Sequence, residues 1–245
     1  MAKRPRLPAG HNTLDQILFD QGFGARRECE GLICTGLVSV NGEVVDDPDA
    51  VFPEDRLSLV IDGKPWVTHV KALVMLHKPA GYECSLKPGA WPGVHNLLPP
   101  ALRKRGLQPV GRLDQDTTGL LLMTDDGPLL HQLTSPKKNV PKVYEVTCKH
   151  PVSDDQVSKL LAGVVLDDDP EMVQAHAAER IGGDDSCHLR LTLLQGKYHQ
   201  VKRMVAAVSN RVEGLHRSSI GRLSLPDDLP EGQWCWIEDP AIVLP

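Results

Sequence analysis

Between Gly111 and Gly127 the chain reads GRLDQDTTGLLLMTDDG, and the apolar run Leu120 to Met123 inside it constrains the fold more than any other stretch. Four residues are too few for a helix, and the run is bounded by Gly119 and by the turn signal Asp125-Asp126-Gly127, so it reads as a buried strand. Arg112, Asp114 and Asp116 precede it, and two further acids follow it. Charged groups are thereby held against a core element, an arrangement that packing alone rarely asks for. Asp114 and Asp116, two apart, share a face of an extended segment. The pattern leaves three roles open for them: a magnesium site with Asp125 and Asp126, a carboxylate pair acting on a glycosidic bond, or turn caps. A carboxylate kept ionised beside a core needs a cation, and the segment YHQVKRMVAAVSNRV supplies one. Its Val201, Met204, Val205 and Val208 recur at helical spacing, and its polar side shows Lys202 and Arg203.

The rest of the chain divides into two units. In the front unit, Thr13 and Gln16 read as a capping box opening a helix with Leu14, Ile17 and Leu18 on one face. A second short helix carries Cys29, Leu32 and Ile33 and stops at Gly36. LVSVNGEVV alternates about Asn41-Gly42, a hairpin signal, and RLSLVIDG alternates again. This gives a compact module over residues 13–63, preceded by a disordered tail over 1–12 and followed by a polar, Pro-containing linker over 64–71. Residues 72–245 form the second unit. Its segments include a buried strand from Leu73 to Leu76, KVYEVTCKH and HLRLTLL as strands, and a helix capped by Ser153. Strands outnumber helices without alternating regularly with them. The fold class is therefore α+β, a mixed and largely antiparallel sheet with flanking helices, plus a small N-terminal α/β module.

Charge and cysteine usage narrow the function. The chain's net charge is −5. Up to Asp62 there are six Lys and Arg against eleven Asp and Glu, a net −5, and the remainder is neutral. From Arg190 to Arg222, however, seven basic residues face a single acid, Glu213, which suggests a local surface that tracks phosphates. No stretch has the roughly 18 apolar residues of a membrane helix, and no secretory signal opens the chain, so a cytoplasmic protein without membrane contact is expected. The six cysteines form no C-x-x-C pair and have no histidine at zinc spacing, so they read as reduced thiols rather than a disulfide frame or metal site.

Taken together and in order, GRLDQDTTGLLLMTDDG, KVYEV and QGKYHQVKRM resemble the signature blocks of the pseudouridine synthases that modify ribosomal RNA. SPKK, GKYHQVKRM and LHR lean toward the branch acting on the bacterial small subunit, and the front module resembles the S4-like RNA-binding domain. The resemblance implies that Asp114 is the catalytic aspartate attacking the target nucleoside, at base or sugar. It implies that Tyr144 packs on the uracil ring and assists proton removal, that Lys202 pairs with the aspartate, and that Arg112 fills the gap left by the flipped nucleotide. Arg203, Lys197, His199, Arg26 and Arg27 are carried along as RNA contacts. The implied partner is 16S rRNA or an assembling small subunit, bound by a monomer, and the implied reaction needs no cofactor and no metal. The front module departs from the family pattern, with Gly31, Cys34 and Leu37 where arginines are common. Its acidity predicts weak phosphate affinity.

Overall fold

The computed structural model describes residues 7–167 and 169–243. They fall into two compact units, one reaching to Ala72 and taking in Leu98–Leu107, the other made of Leu73–Leu97 and the chain from Gln108 onward.

In the first unit, β1 (His11–Thr13) leads into α1 (Leu14–Asp20) and α2 (Arg26–Cys34), followed by β2 (Val38–Val40), β3 (Glu43–Val44), β4 (Val51–Pro53), β5 (Ser58–Ile61) and β6 (Lys64–Val67). A short helix, α3 (Pro100–Arg105), also belongs to this unit. Leu14, Ile17, Leu18, Cys29 and Ile33 from the helices close on Val38, Val40, Leu57, Leu59 and Ile61 from the sheet. Helical and strand periodicities thus meet in one core, as the sequence anticipates.

Four expectations are corrected here. The tail does not stay irregular to residue 12: β1 pairs antiparallel with β4, His11 opposite Pro53, while residues 1–6 lie outside the described residues. Thr13 does stand at the N-cap of α1, but its hydroxyl donates to the Asp15 carboxylate instead of closing a capping box with Gln16. The linker over 64–71 begins as a strand, because Asp62 (φ 48°) and Gly63 (φ 74°) both adopt the positive φ of a two-residue hairpin and set Ile61 opposite Lys64. Pro65 gave that segment its linker look, yet proline is tolerated on a strand such as β6 at the end of the sheet order β3-β2-β5-β6. Finally, the unit starting at residue 72 is interrupted, since Leu98–Leu107 groups with the front unit.

The second unit is built on a nine-stranded sheet. Its elements are β7 (Leu73–Lys78), β8 (Gln108–Pro109), β9 (Thr118–Thr124), α4 (Gly127–Thr134), β10 (Lys142–Cys148), α5 (Asp154–Ala162), β11 (Val164–Leu166), β12 (Asp169–Val173), β13 (Ala177–Ile181), β14 (His188–Leu193), α6 (Gln200–Ala207), β15 (Val212–Ile220), β16 (Leu223–Ser224) and β17 (Trp234–Trp236). The main order is β13-β14-β10-β15-β9-β7-β17, with β8 and β16 attached to β9 and β15, while β11 and β12 form a separate ribbon. Neighbours are antiparallel except β15 and β9, which run parallel. The apolar run of GRLDQDTTGLLLMTDDG is the core of β9: Leu120, Leu121, Leu122 and Met123 are all fully buried. A central strand covered on both faces reads as continuous apolar sequence, not as an alternation.

Gly119 shows why that strand begins with glycine. Its φ is +106°, and a Cβ there would lie 2.3 Å from the Arg217 carbonyl oxygen on β15. The close approach of β15 is what brings Arg217 up to the start of β9.

Candidate active site

A cavity of about 170 Å³ opens in the second unit where the loop before β9, the strands β10 and β15, and the approach to α6 converge. Asp114, Tyr144, Lys202, His199, Lys142 and Arg217 all line it. Residues separated by about a hundred positions in sequence are brought together because β15 inserts between β10 and β9.

Asp114 sits in the irregular loop ahead of β9, with its side chain about one quarter exposed. The Lys202 ammonium lies 3.0 Å from its Oδ2, and His199 Nε2 lies 3.1 Å from its Oδ1. Lys202 also bridges to Asp116, at 2.7 and 2.9 Å from the two carboxylate oxygens. Asp114 and Asp116 thus do share a direction, although they lie on a loop and not on the extended segment the spacing suggests. One lysine between two carboxylates leaves a local excess of negative charge that has to be spread over other donors. Partial burial pushes the Asp116 carboxyl upward, but the hydrogen bond and charge of Lys202 outweigh this and hold its pKa below the ordinary value. Lys202 is affected the opposite way: burial pulls its pKa down, and its bonds to Asp116 and Asp114 raise it overall. Both residues of the Lys202–Asp116 pair therefore stay charged across the physiological range.

The start of α6 sets this geometry. His199 has left-handed backbone (φ 46°) and occupies the N-cap, so α6 begins at Gln200 and carries Lys202 in its first turn. Three residues apart, His199 and Lys202 reach the same carboxylate. The His199 ring stacks on Tyr198 at 3.8 Å between centroids, which fixes its orientation. A non-glycine residue with positive φ costs energy and persists where its surroundings impose it.

Behind the loop lies Lys78, the last residue of β7 and fully buried. Its ammonium donates to the carbonyls of Pro79, Gln115 and Thr117, at 3.1, 3.2 and 2.7 Å. Gly81 N–H adds a second bond to the Gln115 carbonyl, at 2.8 Å. The backbone between Asp114 and Asp116 is therefore pinned from behind. Burial lowers the Lys78 pKa, and the field of Cys84, Asp116 and Asp114 offsets part of that. Sequence reading passed over Lys78 because its partners are backbone carbonyls, which leave no trace in residue type.

Tyr144 on β10 is buried and stands directly opposite Arg217 of β15 in the strand register. Two strand positions before Tyr144 on β10 is Lys142, which also lines the cavity and donates to the Val140 carbonyl at 2.9 Å. Sequence reading counted Arg217 among surface bases and left Lys142 unremarked; the signal available was Lys142 and Tyr144 at i and i+2 of one strand, hence on one face.

Of the expected RNA contacts, Arg112 is exposed and lines the cavity, Lys197 lies at its wall with an ion pair to Glu171, and Arg203 donates to the Tyr198 carbonyl at 3.0 Å. His199 lies on the cavity lining against the Asp114 carboxylate. Arg26 and Arg27 belong to the other unit, where Arg26 bonds Gln16 and lies over the Phe19 ring. The expectation of a local basic surface from Arg190 to Arg222 is cut back, because several of these bases meet acids or are buried. Arg190 pairs with Glu145 and Glu179, Arg211 with Glu213, and Lys202 with the aspartates, while Arg217 is buried. Acids distant in sequence neutralise bases that look unopposed when read along the chain. On the far side of β9, Asp126 caps α4 by accepting from Leu129 N–H at 3.2 Å, so it serves a helix and stands apart from the carboxylate pair.

Known proteins resemble this chain over most of its length. Residues 72–207 match the RNA pseudouridylate synthase family model, and residues 13–51 match the S4 domain. A ribosomal small subunit pseudouridine synthase A of Escherichia coli (strain K12) is 39% identical over 90% of this chain and 94% of its own length. The Yersinia pestis protein of that name is 41% identical over 80% and 82%. An uncharacterised RNA pseudouridine synthase of Bacillus subtilis (strain 168) is 36% identical over 90% and 92%. A solved structure described as a pseudouridylate synthase superposes with a TM-score of 0.64 at 33% identity, covering 94% of this chain and 98% of that one. The α+β core, the two family-model matches and these relatives lead to one conclusion: the chain belongs to the RNA pseudouridine synthase family.

Proposed function

We propose that this protein converts a specific uridine of bacterial 16S rRNA to pseudouridine, with Asp114 as the nucleophile acting on a flipped-out nucleotide. The observation that carries the reading is the Asp114 carboxylate, held at 3.0 Å by Lys202 and 3.1 Å by His199 on the wall of a cavity that also presents Tyr144. A stacked and paired uracil cannot detach, turn and rejoin its sugar through carbon, so the nucleotide has to leave the helix, at a cost of roughly a few kcal/mol. Arg112, exposed on the cavity lining, is the residue assigned to occupy the vacated stack. Inside, Tyr144 offers a flat wall against the ring, and Asp114 is presented as a carboxylate to the reacting nucleoside. The change is an isomerisation: the bond from N1 to the sugar is replaced by one from C5, and the proton on C5 is given up while N1 gains one. Atoms balance without a second substrate.

The small-subunit target is supported by the names of the relatives and by SPKK, GKYHQVKRM and LHR in this sequence. The protein acts on 16S rRNA or on an assembling small subunit, in the cytoplasm and as a monomer. The test is to incubate the purified protein with 16S and 23S rRNA separately and map pseudouridine. A single new site in 16S rRNA is expected. A site in 23S rRNA alone moves the assignment to the large subunit, and binding without modification makes the protein an assembly factor.

A further inference from the structure

Lys142 and Arg217 share the cavity wall, and neither has an acidic partner among the described residues. Arg217 is 2% exposed, donates from Nε to the Leu120 carbonyl at 2.9 Å, and its Nη2 has no hydrogen-bond partner among the described residues. Lys142 donates to one carbonyl, and desolvation, followed by repulsion from Arg217, lowers its pKa to about 8. A buried and a half-buried cation brought together without a counter-charge cost stability, and such an arrangement persists where an anion completes it. The other ionisable groups around the cavity are Arg112 and Asp114 on the loop, Tyr144 on β10, and Lys197, His199 and Lys202 at the start of α6. The one acid among them, Asp114, is taken by Lys202 and His199.

We infer that Lys142 and Arg217 form the receptor for the uracil anion released when the glycosidic bond breaks. This rests on the reaction proposed above. As N1–C1′ cleaves, its electron pair stays with the base and spreads from N1 onto O2 and O4, while C1′ bonds to an Asp114 oxygen, whose negative charge is thereby consumed. Negative charge thus moves from the Lys202–His199 side of the cavity to the Tyr144 side, where the two unpaired cations stand. When C5 then bonds to C1′, the carboxylate departs, the proton on C5 is lost and N1 takes one up, and the charge returns. Donors fixed where charge develops favour the transition state over the neutral ground state. The same cations favour the detached anion over neutral uracil, so the ring stays in the cavity until C5 faces C1′.

The experiment uses the full-length protein and two readouts. Barbiturate, a uracil analogue with a third carbonyl oxygen and anionic at pH 7, is titrated against the protein beside neutral uracil. Binding of the anion is expected to be tighter by about tenfold, with that preference lost in Lys142→Met. In parallel, kcat/KM for rRNA is followed against pH. The wild type is expected to lose rate as pH rises through about 8. Lys142→Met should cut kcat by about a hundredfold with KM little changed, and Lys142→Arg should restore most of the rate and remove the alkaline fall. Burial disfavours the charged lysine in the fold, so Lys142→Met should melt no lower than the wild type at pH 7, which separates this role from a structural one. Equal affinity for barbiturate and uracil, or a Lys142→Met enzyme as fast as the wild type, overturns the inference. Absence of pseudouridine with the wild type overturns the proposed reaction, and the barbiturate preference reads the anion receptor separately.

Discussion

The two ends of β9 carry similar residues and do different work. Ahead of the strand, Asp114 and Asp116 meet Lys202 and His199 from a helix start more than eighty residues away. Beyond it, Asp126 finds its partner three residues on, at the first turn of α4. An aspartate satisfied by nearby backbone is a structural part, whereas one satisfied by distant basic side chains has a field around it that chemistry can use. Local sequence fixes the first kind of partner. Topology fixes the second, here through β15 lying between β10 and β9.

Substitutions at the two ends should separate cleanly. Lys202→Met leaves Asp114 and Asp116 facing each other without the shared ammonium and should reduce kcat/KM by at least about a hundredfold, equivalent to about 2.7 kcal/mol, while the protein stays folded. Steady-state kinetics beside circular dichroism checks both halves. Gly119→Ala, at the junction of the two ends, forces a Cβ against the β15 backbone and should destabilise by about 2 kcal/mol or more, read as a lower urea midpoint. Asp126→Ala should cost about 1 kcal/mol in the same titration and leave the activity of the folded fraction unchanged. If it impaired catalysis without loss of stability, the contrast between the two ends would be wrong.

The smallest effect is a pH dependence. The folded-state pKa of Asp116 lies below its ordinary value, so its contribution to stability is present above the unfolded value and is lost as pH falls through the folded one. The stability difference between wild type and Asp116→Asn should therefore shrink as pH falls below about 4, and salt should reduce it at neutral pH because the pair is partly exposed. Urea titrations at several pH values measure it.

What could be read from the sequence follows the same division between local and distant partners. The buried strand at Leu120–Met123, the Ser153 cap, the Asn41-Gly42 hairpin and the helix bearing Lys202 were legible because each is written within a few residues. Asp62-Gly63 carries an equivalent hairpin signal, but Pro65 behind it mimics a linker, and β6 was missed. The pairing of β1 with β4 and the carbonyl cradle around Lys78 depend on backbone partners that residue types do not record. The basic stretch from Arg190 failed for a related reason, since Glu145, Glu171 and Glu179 reach it only after folding. Asp114 with Lys202 was legible as a pair because the family blocks store, as motif, a contact that periodicity cannot supply.

The measurement that bears most directly on this account is a side-by-side assay of wild type and Asp114→Asn on 16S rRNA, scoring pseudouridine formed in a single turnover together with RNA affinity. Asparagine keeps the size of the side chain and removes the negative charge that the proposed reaction requires. The account predicts that turnover falls by at least about a thousandfold with RNA affinity within a few-fold of wild type. An Asp114→Asn protein that still makes pseudouridine at a comparable rate would contradict it.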